Sequence, residues 1–97
     1  MHDIRFEWDS GKAARNRRKH GVSFEEAQTV FYDEHAIEFF DPDHSEREDR
    51  CIMLGMSFKP RLLVVCHCVR AAQLVIRIIS ARRATDHEAE PYRKGRA

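Results

Sequence analysis

The sequence predicts an α+β domain: a mostly antiparallel five-stranded sheet, two helices from the N-terminal half packed on it, and a short C-terminal helix. Three observations carry this. Residues 3 to 8, DIRFEW, alternate Ile4, Phe6 and Trp8 with Arg5 and Glu7, the period of a half-buried strand. SFEEA at 23 to 27 has the form of a helix start. The runs LLVVCHCV and LVIRII are too apolar for a sheet wetted on both faces, so helices must cover it. With 97 residues, 42% of them hydrophobic, there is material for one core, and residues 1–97 read as one domain.

Each element has a local reason. Asp9 or Ser10 caps a helix over 11 to 20, and Gly21 supplies the permissive backbone that ends it. Ser23 and Glu26 form a capping box for the next helix, with Val22 and Ala27 as its staple. Phe24, Ala27, Val30 and Phe31 then recur at helical spacing and face the core. AIEFF at 36 to 40 makes a second strand before the turn region DPDHSERED. Strands 50 to 58 and 62 to 69 flank Lys59, Pro60 and Arg61 as a hairpin, and a fifth strand runs from about 73 to 80. Residues 84 to 94 suit a short helix with Glu88 and Tyr92 on one face, although Pro91 removes a donor.

No run of 18 apolar residues exists and the first residues lack a secretory signal, so the expectation is a soluble cytoplasmic protein without membrane contact. Cys51, Cys66 and Cys68 form neither a disulfide framework nor a recognised zinc spacing. They read as small core residues, and neither a metal nor a cofactor is expected.

The net charge of +1 conceals segregation. Residues 10 to 24 carry Lys12, Arg15, Arg17, Arg18 and Lys19 and no carboxylate, while 25 to 49 carry ten carboxylates against Arg47. Residues 50 to 97 return ten Lys or Arg against Asp86, Glu88 and Glu90. Clustered cations favour phosphate-bearing or acidic partners even on a nearly neutral chain. The competing reading is an ordinary surface on which the acidic segment folds back against the basic ones.

Arg77 interrupts an apolar strand, where alternation places it with Val75, Ile79 and Ala81. A guanidinium there is either salt-bridged, with the 34 to 49 region as the expected source of the carboxylate, or a phosphate clamp. Arg82 and Arg83 follow at one end of that strand, and Arg70 lies near the other, so Arg77 pairs more easily with one group than with both. Cleaving RNA without a metal needs an acceptor for the 2′-hydroxyl proton and cations for the crowded phosphate. Glu88, His20 and His67 are proton-transfer candidates, and Tyr92 could stack on a base or donate a proton. Each also has a structural role open to it, His67 most of all because it sits between Cys66 and Cys68 in an apolar strand.

FEWD at 6 to 9, Lys12, Asn16, KHGVSFEEA at 19 to 27, Val30, Phe31, DPDHS at 41 to 45, and IRIISARRAT at 76 to 85 followed by Glu88 and Tyr92 resemble the BrnT family of type II toxins. The resemblance spans nearly the whole chain; Pro91, Ala71 and Ala72 depart from it. It implies a ribonuclease toxin with a RelE-like fold that halts translation by cleaving RNA. It further implies a BrnA-like antitoxin, a two-plus-two assembly, and operator DNA bound through the antitoxin. Carried onto this chain, it favours Arg77, Arg82, Arg83 and Glu88, then His20, as catalytic residues, with Arg70, Tyr92 and Lys19 holding substrate.

Two other function classes compete. A stand-alone DNA reader would use the helix–Gly21–helix segment, but its second helix opens on Phe24, Glu25 and Glu26 and offers no cation. A non-catalytic RNA- or partner-binding protein would bind with steep salt dependence and cleave nothing.

Overall fold

The computed structural model describes residues 4–40, 50–70 and 75–96. In chain order these form β1 (Arg5–Glu7), α1 (Ser10–His20), α2 (Phe24–Thr29) with a 3₁₀ turn (Val30–Tyr32), β2 (Ile37–Phe40), β3 (Arg50–Met56), β4 (Leu62–Arg70), β5 (Val75–Arg83) and α3 (Asp86–Arg96). The DPDHS turn and the connection at 71–74 lie outside the described residues.

The five strands make one sheet in the order β1-β5-β4-β3-β2. Three of its pairings are antiparallel, as expected; β1 runs parallel to β5 at the edge. From that edge α1 and α2 lead over one face of the sheet to β2 at the other edge, and the antiparallel strands that follow bring β5 back beside β1, the long connection that a parallel pair requires.

The helices start and stop where their caps dictate. Asp9 accepts the Lys12 N–H at 2.8 Å, and Gly21, at φ 71°, closes α1 by donating to the Arg17 carbonyl. Ser23 accepts the Glu26 N–H at 3.0 Å, but the capping box is only half made. The Glu26 carboxylate turns inward instead, taking the Ser57 hydroxyl at 2.7 Å and the Arg61 guanidinium. Burial would raise its pKa, and those two partners outweigh burial and lower it.

Val22, Phe24, Ala27 and Val30 pack with Leu63, Val65, Ile76, Ile78 and Ala81 in the buried core. Asn16 of α1 fastens this layer, donating to the Val22 and Ala81 carbonyls and accepting the Ala81 N–H. Each otherwise orphaned group is thereby satisfied in the interior.

Two expectations for β5 need correction. The strand runs on through Arg82 and Arg83. It also carries an extra residue: Cys66 pairs with Ser80 and His67 with Ile78, which leaves Ile79 as a bulge. A bulge reverses alternation beyond it. Ala81 therefore joins Ile76 and Ile78 in the core, and Arg82 comes round to the face that Arg77 occupies.

Candidate active site on the open sheet face

Residues that pair across strands share a face, so the register fixes which side chains meet. On the face turned away from α1 and α2, Arg50, Cys68, Arg77 and Glu7 form one row, and Arg70 with Val75 and Arg5 form the next. On the other side of the first row lies Ile52–Cys66–Ser80, then Leu54–Val64–Arg82. A shallow cleft of about 230 Å³, floored by Ile52, Val64, Cys66 and Ile79, runs between Arg50 and Arg82.

Glu7 is the carboxylate at the centre. Its Oε2 accepts from Arg77 Nη1 at 3.1 Å and Arg70 Nη1 at 3.3 Å. Arg77 is thus paired, but with β1 rather than with a carboxylate of the acidic segment as expected. Arg70 is the arginine it joins, since four register steps, about 13 Å of strand, separate Arg77 from Arg82. The side chains of Glu7, Arg77 and Arg70 are 43%, 31% and 55% exposed, so the group is open to a ligand. Two guanidiniums on one carboxylate leave a net positive charge there.

Glu88 is held quite differently. Arg82 forks onto both its oxygens at 2.7 Å, while Glu88 Oε1 accepts the Thr85 N–H and Thr85 Oγ1 accepts the Glu88 N–H. This is the complete capping box of α3, and Thr85-x-x-Glu88 was its visible signal. The Arg82 and Thr85 hydrogen bonds, in that order, bring the Glu88 pKa down to about 2, and Glu88 in turn raises that of Arg82. Both Glu88 oxygens are thereby engaged by Arg82, and the fork fixes where that guanidinium points.

The remaining expected site residues scatter. Arg83 alternates away from Arg82 and lines a separate cleft of about 560 Å³ beside Pro60 and α3. Lys19 and His20 end α1, which lies across the sheet from Arg77. Tyr92 is turned inward, 3% exposed, with its hydroxyl donating to Asp33 Oδ2 at 2.6 Å. A phenol so buried cannot stack on a base, and here it docks α3 against the sheet end. The α3 helix continues through Pro91, which leaves that docking intact.

His67 is fully buried, edge-on to Phe31 at 4.8 Å between ring centroids. Glu7 and Arg50 had no place among the residues the sequence singled out, although Glu7 sits inside FEWD. No helix among the described residues is long and apolar enough to cross a membrane.

A family model described as the ribonuclease toxin BrnT of type II toxin–antitoxin systems matches residues 8–88. The chain is also similar to the crystal structure of the Brucella abortus ribonuclease toxin BrnT, with a TM-score of 0.63 and 20% identity over 89% of this chain and 100% of that one. That likeness bears on the fold. None of the curated proteins compared matches the chain. With the match running from Trp8, just after β1, through β2, β3, β4 and β5 to Glu88 in α3, the chain belongs to the BrnT family of ribonuclease toxins of type II toxin–antitoxin systems.

Proposed function

We propose that the chain cleaves RNA without a metal on the open sheet face, with Arg77 and Arg70 as the phosphate clamp, Glu7 as proton acceptor and Arg82 on a neighbouring nucleotide. The convergence of both guanidiniums on Glu7 Oε2 supports this best. An incoming phosphate competes for the two forks, which match its geometry, and loosens the carboxylate beside the ribose. Glu7 then takes the 2′-hydroxyl proton as that oxygen bonds to phosphorus. The bond to the 5′-oxygen breaks, that oxygen takes a proton from water, the hydroxide left behind takes the proton from Glu7, and a cyclic phosphate and a 5′-hydroxyl result. The clamp stabilises the charge that builds on the phosphoryl oxygens.

Glu88 acts through Arg82, which it orients. Arg83 and Lys19 supply cationic surface outside the cleft, and His20 follows Lys19 at the end of α1. As a type II toxin the chain has an antitoxin partner. In this reading that partner is BrnA-like, two copies assemble with two toxins in the cytoplasm, and operator DNA is held through the antitoxin. An acidic or aromatic segment laid over Arg70, Arg77 and Arg82 would silence the toxin without refolding it.

The test is cleavage of ribosome-free RNA by antitoxin-free protein in EDTA, with folded Arg77→Ala prepared identically. Wild type is expected to leave cyclic phosphate ends, and the variant to lose about 100-fold or more in rate. Salt-sensitive RNA binding with no cleavage would favour the binding-only protein, and equal cleavage by both would remove Arg77 from the site.

A further inference from the structure

We propose that Glu38, Cys51 and His67 form a zinc site on the helix-covered side of the sheet, near its β2 edge. The backbone register alone brings them together. Cys51 pairs directly with His67, and Glu38 faces the neighbouring row through Met53, two residues along β3 from Cys51. All three therefore project from one face. Their ligating atoms lie within 4.8 Å of one another, and among the described residues no other three such groups meet. Metal bonds of about 2.0 to 2.3 Å need donors roughly 3 to 4 Å apart, a small adjustment from this arrangement.

The imidazole supplies the second argument. His67 is fully buried, and its Nδ1 lies 3.2 Å from the Val65 carbonyl, which can only accept. With Nδ1 as the donor in that contact, Nε2 is the nitrogen left for a metal. Its Nε2 faces Glu38 Oε2 at 3.1 Å. A ring nitrogen and a carboxylate oxygen at this separation are held together by a proton or a metal ion between them. An Nδ1–H donated to a backbone carbonyl is the usual support for a metal-bound histidine. The thiol of Cys51, which is in no disulfide, decides for the metal. A nitrogen, a sulfur and a carboxylate oxygen make a borderline-soft donor set that suits zinc and not magnesium or calcium.

Glu38 is 52% exposed at the sheet edge, which gives the ion a way in. On binding, the Cys51 thiol releases its proton to solvent, and the ion takes the place of any proton between His67 and Glu38. The site joins β2, β3 and β4 from the side opposite Arg77, so zinc there clamps the edge strand and takes no part in the proposed cleavage.

The full-length chain, stripped with EDTA and dialysed, is titrated with zinc alone and, in parallel, with cobalt(II) followed by absorption. One ion per chain, a zinc-dependent rise in melting temperature and a thiolate-to-cobalt charge-transfer band are expected. Cys51→Ser should abolish that band, and Cys51→Ser and Glu38→Gln should each weaken binding about 100-fold, the upper end of the effect of even outer-shell partners. His67 is a core residue whose replacement threatens folding, so the decision rests on the two edge variants, with folding checked by circular dichroism. Absence of stoichiometric binding, binding without the band, or binding unchanged in both folded variants overturns the site. RNA cleavage plays no part in these readouts, so the zinc site and the proposed chemistry stand or fall separately.

Discussion

Glu7 and Glu88 both answer to arginines on the open side of the sheet, yet the two pairings have opposite character. Glu88 receives a parallel fork from Arg82 and closes a capping box with Thr85, so both its oxygens accept, three hydrogen bonds in all, and its pKa falls to about 2. Glu7 offers one oxygen to two guanidiniums at 3.1 and 3.3 Å, and among the described residues its side chain takes no backbone donor. Bidentate pairing reinforced by a backbone donor builds structure, whereas one oxygen shared between two partly exposed guanidiniums leaves groups that a phosphate can recruit. Proximity to arginine is therefore a weaker guide to chemistry than the number of partners the carboxylate already has.

Exchanging the two carboxylates for amides gives the largest expected contrast. Glu7→Gln removes the proposed proton acceptor and should lower the cleavage rate by about 100- to 10,000-fold, the range for general acid–base groups, with little change in melting temperature. Glu88→Gln should do the reverse in emphasis: a clear loss of stability, and a rate loss well below that of Glu7→Gln because only the aim of Arg82 suffers. Initial rates beside thermal melts decide it. Equal rate losses in the two variants would collapse the distinction.

Glu26 extends the comparison to a third, buried arginine pairing. It is 1% exposed and holds Ser57 and Arg61 beneath the β3–β4 turn. Glu26→Ala strands both partners and should cost about 3 kcal/mol, the lower end for a broken buried pair because Arg61 remains 23% exposed. For a domain this size that is a fall of roughly 12 to 24 °C in Tm. Cleavage measured below the new melting point should be unchanged, since no atom of this cluster lies on the open face.

The contrast among these carboxylates also explains what the sequence disclosed. Helix starts at Asp9 and Ser23, the stop at Gly21 and the hairpin round Pro60 follow from local chemistry, and all stand where the spacing puts them. The burial of Phe24, Ala27 and Val30 was equally legible from helical periodicity. Arg77 and Arg70 were legible as cations in apolar strands, but their meeting at Glu7 depends on β1 crossing over to pair with β5, a contact between residues about 70 positions apart. The bulge at Ile79 left no residue signal, yet it turned Ala81 inward and Arg82 outward. Tyr92 was misread for the same reason: its spacing from Glu88 was right, but only the tertiary fold brings Asp33 beneath it. Glu88 is the instructive case, because Thr85-x-x-Glu88 spells a capping box in plain sequence while its position beside two arginines points to chemistry.

The smallest predicted effect tests the locked pair by acid. The ordinary glutamate value of 4.5 applies to Glu88 in the unfolded chain, and the folded value is about 2. The unfolded state therefore binds the proton first, so the stability that Glu88 contributes is complete above about pH 4.5 and is lost as the pH falls toward 2. Glu26 and Asp33, whose pKa values are also lowered, add to the same acid instability. The share belonging to Glu88 is isolated by difference: urea midpoints of wild type and Glu88→Gln should be separated by a constant amount near neutrality and converge below about pH 4. Thr85→Ala, which removes one side of the box, should cost about 1 kcal/mol at neutral pH and shift that convergence upward, toward the ordinary carboxylate range. A gap that stayed constant down to about pH 2 would mean that Glu88 is not held by Arg82 and Thr85 in solution, and the contrast with Glu7 would lose its structural side.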